Sequence, residues 1–127
     1  MEYHQMATAE AFAADLSMPV FLVDRNGDLL YYNSEAGQVL GREFDETGGM
    51  PAAVWGRIFN PTAEDGTPLA PEALPLMIAL SEGKPATGSI WISGIDNERR
   101  HIVIAAFPIR DDSGKVRGAM AVFWEKD

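Results

Sequence analysis

The chain of 127 residues contains no cysteine. Disulfides, zinc–thiolate sites and thiol nucleophiles are therefore excluded. A reducing compartment fits this absence, and a cytoplasmic location is the expectation. Long apolar runs are missing too: no stretch approaches the ~18–20 residues that span a bilayer. Met1 to Gln5 carry no basic segment and no signal-peptide core follows. Basic charge is scarce. The net charge is −9, and residues 1–83 hold 13 acids against 3 bases. Such a surface repels phosphate backbones and anionic lipid, so neither nucleic acid nor membrane is an expected partner. Internal repeats and low-complexity tracts are also absent.

What remains is ordinary globular composition, 46% hydrophobic and 23% charged, in a length that suits one domain. Met6, Ala9, Ala13 and Leu16 recur at helical spacing, with Phe12 beside them, so residues 5–16 read as a helix that Pro19 ends. Residues 1–17 are set apart as this helix, a dimerisation cap, and residues 18–127 as the main domain. Residues 19–25 and 29–33 read as strands. Asn26-Gly27 between them is a strong hairpin signal, and both residues suit the positive φ of a type I′ turn. Asn33-Ser34 caps a short helix from Glu35 to Leu40, and Gly41 stands at its left-handed C-cap. Residues 42–70 read as irregular, with Trp55, Ile58 and Phe59 expected in a turn that packs inward.

A second helix spans roughly 72–82, with Pro71 or Pro75 as its first residue. Three strands follow, at 87–93, 99–109 and 116–124, with turns at Asp96-Asn97 and at Asp111 to Gly114. Residues 102–107 are apolar on both alternating faces, so one face is expected to be covered. The fold class is α+β: one five-stranded antiparallel sheet with short helices on one face and the N-terminal helix on the other.

Three blocks in order carry a family resemblance. They are Phe21 to Gly41, with Asp24, a glycine turn, Asn33 and the closing glycine; Asp65 to Leu76 followed by Glu82-Gly-Lys-Pro85; and Phe107 to Val122. Together they resemble the PAS family of bacterial sensory domains over about residues 18–124. Asp24, Asn26, Gly27, Asn33 and Gly41 serve as structural motif residues in this reading, and Pro108 fits where strand pairing relaxes. The resemblance implies a signal-transduction module, as in two-component and transcription-regulating sensors, with a downstream effector such as a histidine kinase or phosphatase. The family often closes with Asp-Ile/Val-Thr leading into a signalling helix; here Glu125-Lys126-Asp127 stands at that place.

The cofactor is unknown. Without cysteine, the cysteine-dependent flavin photochemistry of the family is excluded, as is that of the photoactive yellow protein type. Haem relatives place a histidine on the helix corresponding to 72–82, which has none; His4 and His101 lie elsewhere. Relatives that bind dicarboxylates need cations in the cleft, whereas Arg99 and Arg100 flank a turn and read as solvated. The candidate ligand-binding residues are apolar: Phe59, Met77, Leu80, Ile90, Ile92, Ile104 and Ala106. An ordinary filled core, and with it a pure dimerisation or interaction module, is the plainer reading of these residues; the ligand they would fit is a small apolar molecule, such as a fatty acid or metabolite.

Trp91 and Trp124 lie on strands; on the face away from the helices they would form an exposed patch, and the sequence leaves open which face dimerises. Met6, Ala9, Phe12, Ala13, Leu16 and Trp124 are the candidate dimer interface, and a homodimer is the expected assembly. Intramolecular capping by the same helix is the alternative. An isomerase-like enzyme would need a buried carboxylate near a tyrosine hydroxyl. Tyr31 and Tyr32 are adjacent on a strand and point to opposite faces, Asp24 flanks a turn, and no catalytic motif is present. The reading is therefore not enzymatic.

Overall fold

The computed structural model describes residues 17–126 together with Ala9. Five strands, β1 Val20–Asp24, β2 Leu29–Tyr32, β3 Ala86–Ser93, β4 Arg99–Arg110 and β5 Val116–Glu125, form one antiparallel sheet in the order β2-β1-β5-β4-β3. Between β2 and β3 the chain forms α1 Ser34–Leu40, α2 Phe44–Thr47, α3 Ala52–Phe59, a 3₁₀ turn Pro71–Ala73 and α4 Pro75–Glu82. The predicted strands agree to within a residue at each end.

Alternation along the strands sorts side chains to two faces. Phe21, Val23, Ile90, Ile92, Ile102, Ile104, Ala119, Ala121 and Phe123 point to the helical layer and join the main core. Val20, Leu22 and Met120 point the other way and form a second, smaller cluster, against which Ala9 packs. Ala9 is helical. Thus one helical residue of the N-terminal stretch packs on the second face. Met6, Phe12, Ala13 and Leu16 lie outside the described residues.

The β1–β2 turn corrects one expectation. Only Gly27, at φ 85°, has positive φ; Asn26 does not. The loop is instead closed by Gly27 N donating to Asp24 O (2.9 Å) and Asp24 N to Asp28 O (3.0 Å). The Asp24 carboxylate accepts from the Asn26 and Asp28 amides at 2.9 and 3.1 Å. A side chain that bonds the turn backbone favours this longer loop over the two-residue turn. The same device recurs at Asp111, whose carboxylate accepts from the Ser113 and Lys115 amides.

The middle of the chain is more helical than expected. Residues 42–70 contain α2 and α3, and α3 buries Trp55 and Phe59 while leaving Ile58 39% exposed. Trp55 and Phe59, four apart, share a helical face, whereas Ile58 points off it. The helix predicted over 72–82 is broken in two, because Pro71 and Pro75 each open a helical segment at a first-turn position.

The sheet edges are short of exposed backbone. Leu29 bridges to Met50 beside β2, and Thr62 bridges to Trp91 beside β3. Such single-residue bridges protect edge strands from pairing with other chains.

Candidate ligand cavity

Between the sheet and the helices lies a cavity of about 70 Å³. Its walls are apolar throughout. Phe59 comes from α3, Leu76 from α4, and Ile90, Ile92 and Ile104 from β3 and β4. Trp55, also in the wall, spends its indole N–H on the Gly27 carbonyl at 2.9 Å. Phe21 stands edge-on to Trp55 and Phe59, with ring centroids 5.3 and 6.0 Å apart. An apolar space of this kind, left empty, forfeits contacts its walls could make.

Of the seven candidate binding residues, Phe59, Ile90, Ile92 and Ile104 line this cavity. Met77, Leu80 and Ala106 do not. Ala106 is buried in the core, and Leu80 packs partly buried against it. Met77 faces a separate groove of about 220 Å³, formed by α3, the segment 60–69 and Pro71 to Leu74, and its methyl lies over Gly27. Sequence reasoning missed Ile102 and Phe123 as wall residues. The signal was available for Ile102, which lies two residues from Ile104 and so on the same face. Phe123 is placed by its register opposite Ile104, a nonlocal fact.

Asn33 and Gly41 bracket α1. Asn33 Oδ1 accepts from Ala36 N and Val20 N, both at 3.0 Å, and its amide donates to Met18 O at 2.8 Å. Gly41, at φ 93°, closes α1. The Tyr32 hydroxyl donates to Arg42 O at 2.8 Å and meets Thr47 Oγ1 at 3.0 Å. Burial pushes its pKa above the usual phenol value, making it a weaker acid. Among the described residues the buried polar side chains are Asn33, Thr62 and Ser93, with no carboxylate among them. Nor do the described residues hold a cluster of metal-ligating side chains.

Of the two arginines read as solvated, Arg99 is exposed and Arg100 partly buried, and both also make side-chain hydrogen bonds. Arg99 donates to Asn60 O, Ser93 Oγ and Thr62 Oγ1 at 2.8, 2.9 and 2.7 Å. Arg100 grips Asp96 with both terminal nitrogens, at 3.1 and 2.9 Å. Neither lines the cavity, which therefore offers no cation to a dicarboxylate. On the outer sheet face, Trp124 is 41% and Phe107 36% exposed. Trp91 is only half-buried there, because its ring stacks on His101 at 4.6 Å.

The sequence matches the family described as PAS fold over residues 14–125. The chain belongs to that family. Its fold is shared with solved PAS structures at low sequence identity. The PAS domain of BvgS from Bordetella pertussis is 15% identical, with a TM-score of 0.63, over 96% of this chain and 85% of that one. A PAS domain from Colwellia psychrerythraea is 16% identical, with a TM-score of 0.68, over 95% and 97%. A LOV protein from Rhodobacter sphaeroides is 12% identical, with a TM-score of 0.76, over 98% and 69%. No curated protein matches the chain. PAS domains are in general sensory and signalling modules, and none of the helices among the described residues is long and apolar enough to cross a membrane.

LOV neighbours raise the question of flavin, and the walls answer it. The polar edge of an isoalloxazine ring needs hydrogen-bond partners once buried. This PAS domain supplies no free polar side chain there. Its cavity is also well below the ~300–1,000 Å³ of cofactor-sized sites. Haem fits no better: α4 carries no histidine, and His101 stacks on the opposite sheet face.

Proposed function

We propose that this PAS domain is a ligand-sensing regulatory module that admits a small apolar molecule and relays its presence to an effector, with no catalytic step of its own. The observation that carries the reading is the wholly apolar cavity behind α3 and α4, bounded by Phe59, Ile90, Ile92 and Ile104. Apolar cavities take up apolar ligands because the ligand regains contacts that the void forfeits. The ligand class is a small hydrocarbon-like metabolite or the end of a fatty acid. A histidine kinase or phosphatase in the cytoplasm is the proposed effector, and the acidic surface argues against nucleic acid or anionic membrane as partner.

Native mass spectrometry beside the denatured mass tests this. An excess mass lost on denaturation in the wild type, and absent from Ile104→Trp, supports sensing. Identical native masses for both, with no adduct after incubation with small hydrocarbons, would replace it by a filled interaction module.

A homodimer through the outer sheet face is part of the same proposal. Its support is the exposed pair Phe107 and Trp124, with Met18 40% exposed, beside the cluster on which Ala9 packs. Residues 1–17 are assigned as the cap of that face. Light scattering of Trp124→Glu checks it: the expected result is a monomer with unchanged far-UV circular dichroism, and an unaltered mass would remove this face from the interface.

A further inference from the structure

Segment 60–69 is a strap that borders the cavity through Pro61 and is fastened at its start to the sheet. Thr62 and Trp91 exchange both backbone hydrogen bonds at 2.9 Å. The Arg99 fork holds Asn60 O and Thr62 Oγ1. Beyond this anchor, Glu64 reaches the end of β5. Its Oε1 accepts from His101 Nε2 at 3.0 Å and from Lys126 Nζ at 3.3 Å. A carboxylate only accepts, so Nε2 carries the proton. Lys126 N in turn donates to His101 O at 2.8 Å. The bonds from Lys126 and His101 hold the Glu64 carboxyl below its ordinary range.

The strap is also cavity wall. Pro61 lines both the cavity and the adjoining 220 Å³ groove, and Trp55 and Leu74 are the other residues common to the two. The cavity, at about 70 Å³, is roughly half the ~150 Å³ that accommodates benzene in an engineered core. A ligand of that size needs a wall to move. Most of the wall is packed sheet and helix, whereas Pro61 belongs to a loop, pinned beside Pro61 by Arg99, Trp91 and the Leu69 amide, whose far part is held by exposed charges.

We propose that the strap 60–69 is the lid of the cavity and that Glu64 is the clasp tying its position to the end of β5, so that a ligand that lifts the strap releases Lys126 and His101. This rests on the apolar-ligand reading above. Exposed ion pairs shift equilibria about fivefold or less, so the clasp is weak enough for a modest ligand to open. Coupling of this kind is reciprocal: whatever loosening the ligand causes, prior loosening must return as tighter binding by the same factor.

Benzene is the probe, titrated by NMR into wild type, Glu64→Gln and Lys126→Gln, with amide hydrogen exchange followed at residues 60–69 and 122–126. In the wild type, benzene is expected to speed exchange at the Thr62 and Lys126 amides. In both variants exchange there is already up to about fivefold faster without benzene, and benzene binds about threefold tighter. Glu64 and Lys126 are surface residues, and an unchanged amide spectrum elsewhere verifies the fold. Binding to all three proteins with equal affinity, and with exchange at Lys126 unmoved, would overturn the clasp and leave the cavity reading intact. No binding to any of them would overturn the cavity reading, and the clasp with it.

Discussion

The indole nitrogen of Trp55 donates to the carbonyl oxygen of Gly27 at 2.9 Å, joining α3 to the β1–β2 turn across 28 positions of sequence. The same ring lines the cavity and packs on Phe21 and Phe59. One side chain thus fixes the helix, the hairpin and the pocket wall. Trp55→Phe keeps a ring but strands the Gly27 carbonyl and leaves a gap. The expected loss is about 2–4 kcal/mol, read from urea denaturation. A loss below about 1 kcal/mol would mean that the bond is replaced by solvent and that the wall is mobile there.

Asn33 serves two elements at once. It caps α1 through Ala36 N and accepts the Val20 amide at the start of β1. Asn33→Ala removes the cap and leaves a buried N–H unmet, an expected cost of about 2–4 kcal/mol. Asn33→Asp keeps the acceptor but loses the donation to Met18 O and buries a carboxyl at a site 2% exposed, and because the cap acceptor survives its urea midpoint should fall between alanine and wild type. Equal midpoints for the two variants would show that the amide donor matters most.

Two glycine-to-alanine changes should have opposite signs. At Gly41, φ is 93° and an added Cβ would stand 3.0 Å from the Asp96 backbone nitrogen, so the helix end and the β3–β4 turn must separate. A loss of about 2 kcal/mol or more is expected. At Gly56, inside α3, a Cβ meets nothing within 4 Å, and alanine should stabilise by about 0.5–1 kcal/mol. Thermal melts of the two variants check both signs, and a destabilised Gly56→Ala would mean that the groove beside α3 needs the open space.

Acid should loosen the β3–β4 turn. The bidentate Arg100 bond, with help from the Glu98 amide, lowers the Asp96 carboxyl to about 2. A carboxylate with a depressed folded-state value binds fewer protons folded than unfolded, so its contribution is complete above the ordinary value near 4. It fades as pH falls from there toward about 2. Asp111, lowered in the same direction by Ser113 and Arg117, adds to the slope. Urea midpoints measured between about pH 5 and about pH 2 should drop in the wild type and drop less steeply in Asp96→Asn. Parallel curves would assign the acid sensitivity to other carboxylates.

Much of this PAS domain was legible in the sequence alone. Alternating apolar residues placed all five strands, Asn33 and Gly41 bracketed α1, and the two prolines marked where the later helix begins. These are local properties: period, cap and turn chemistry are written within a few residues. The absence of cysteine excluded thiol chemistry outright. Tertiary structure decided the rest. Ile90 and Ile104 reach the cavity while Leu80 and Ala106 do not, although all four are apolar and well placed by pattern. The difference comes from strand register and from how α4 seats on the sheet. The Asp24 side chain turned a two-residue hairpin into a longer loop. The Arg99 fork and the Glu64 clasp join residues 37 or more positions apart. No local pattern encodes such contacts, because they exist only once the sheet has brought the strap and the strand ends together.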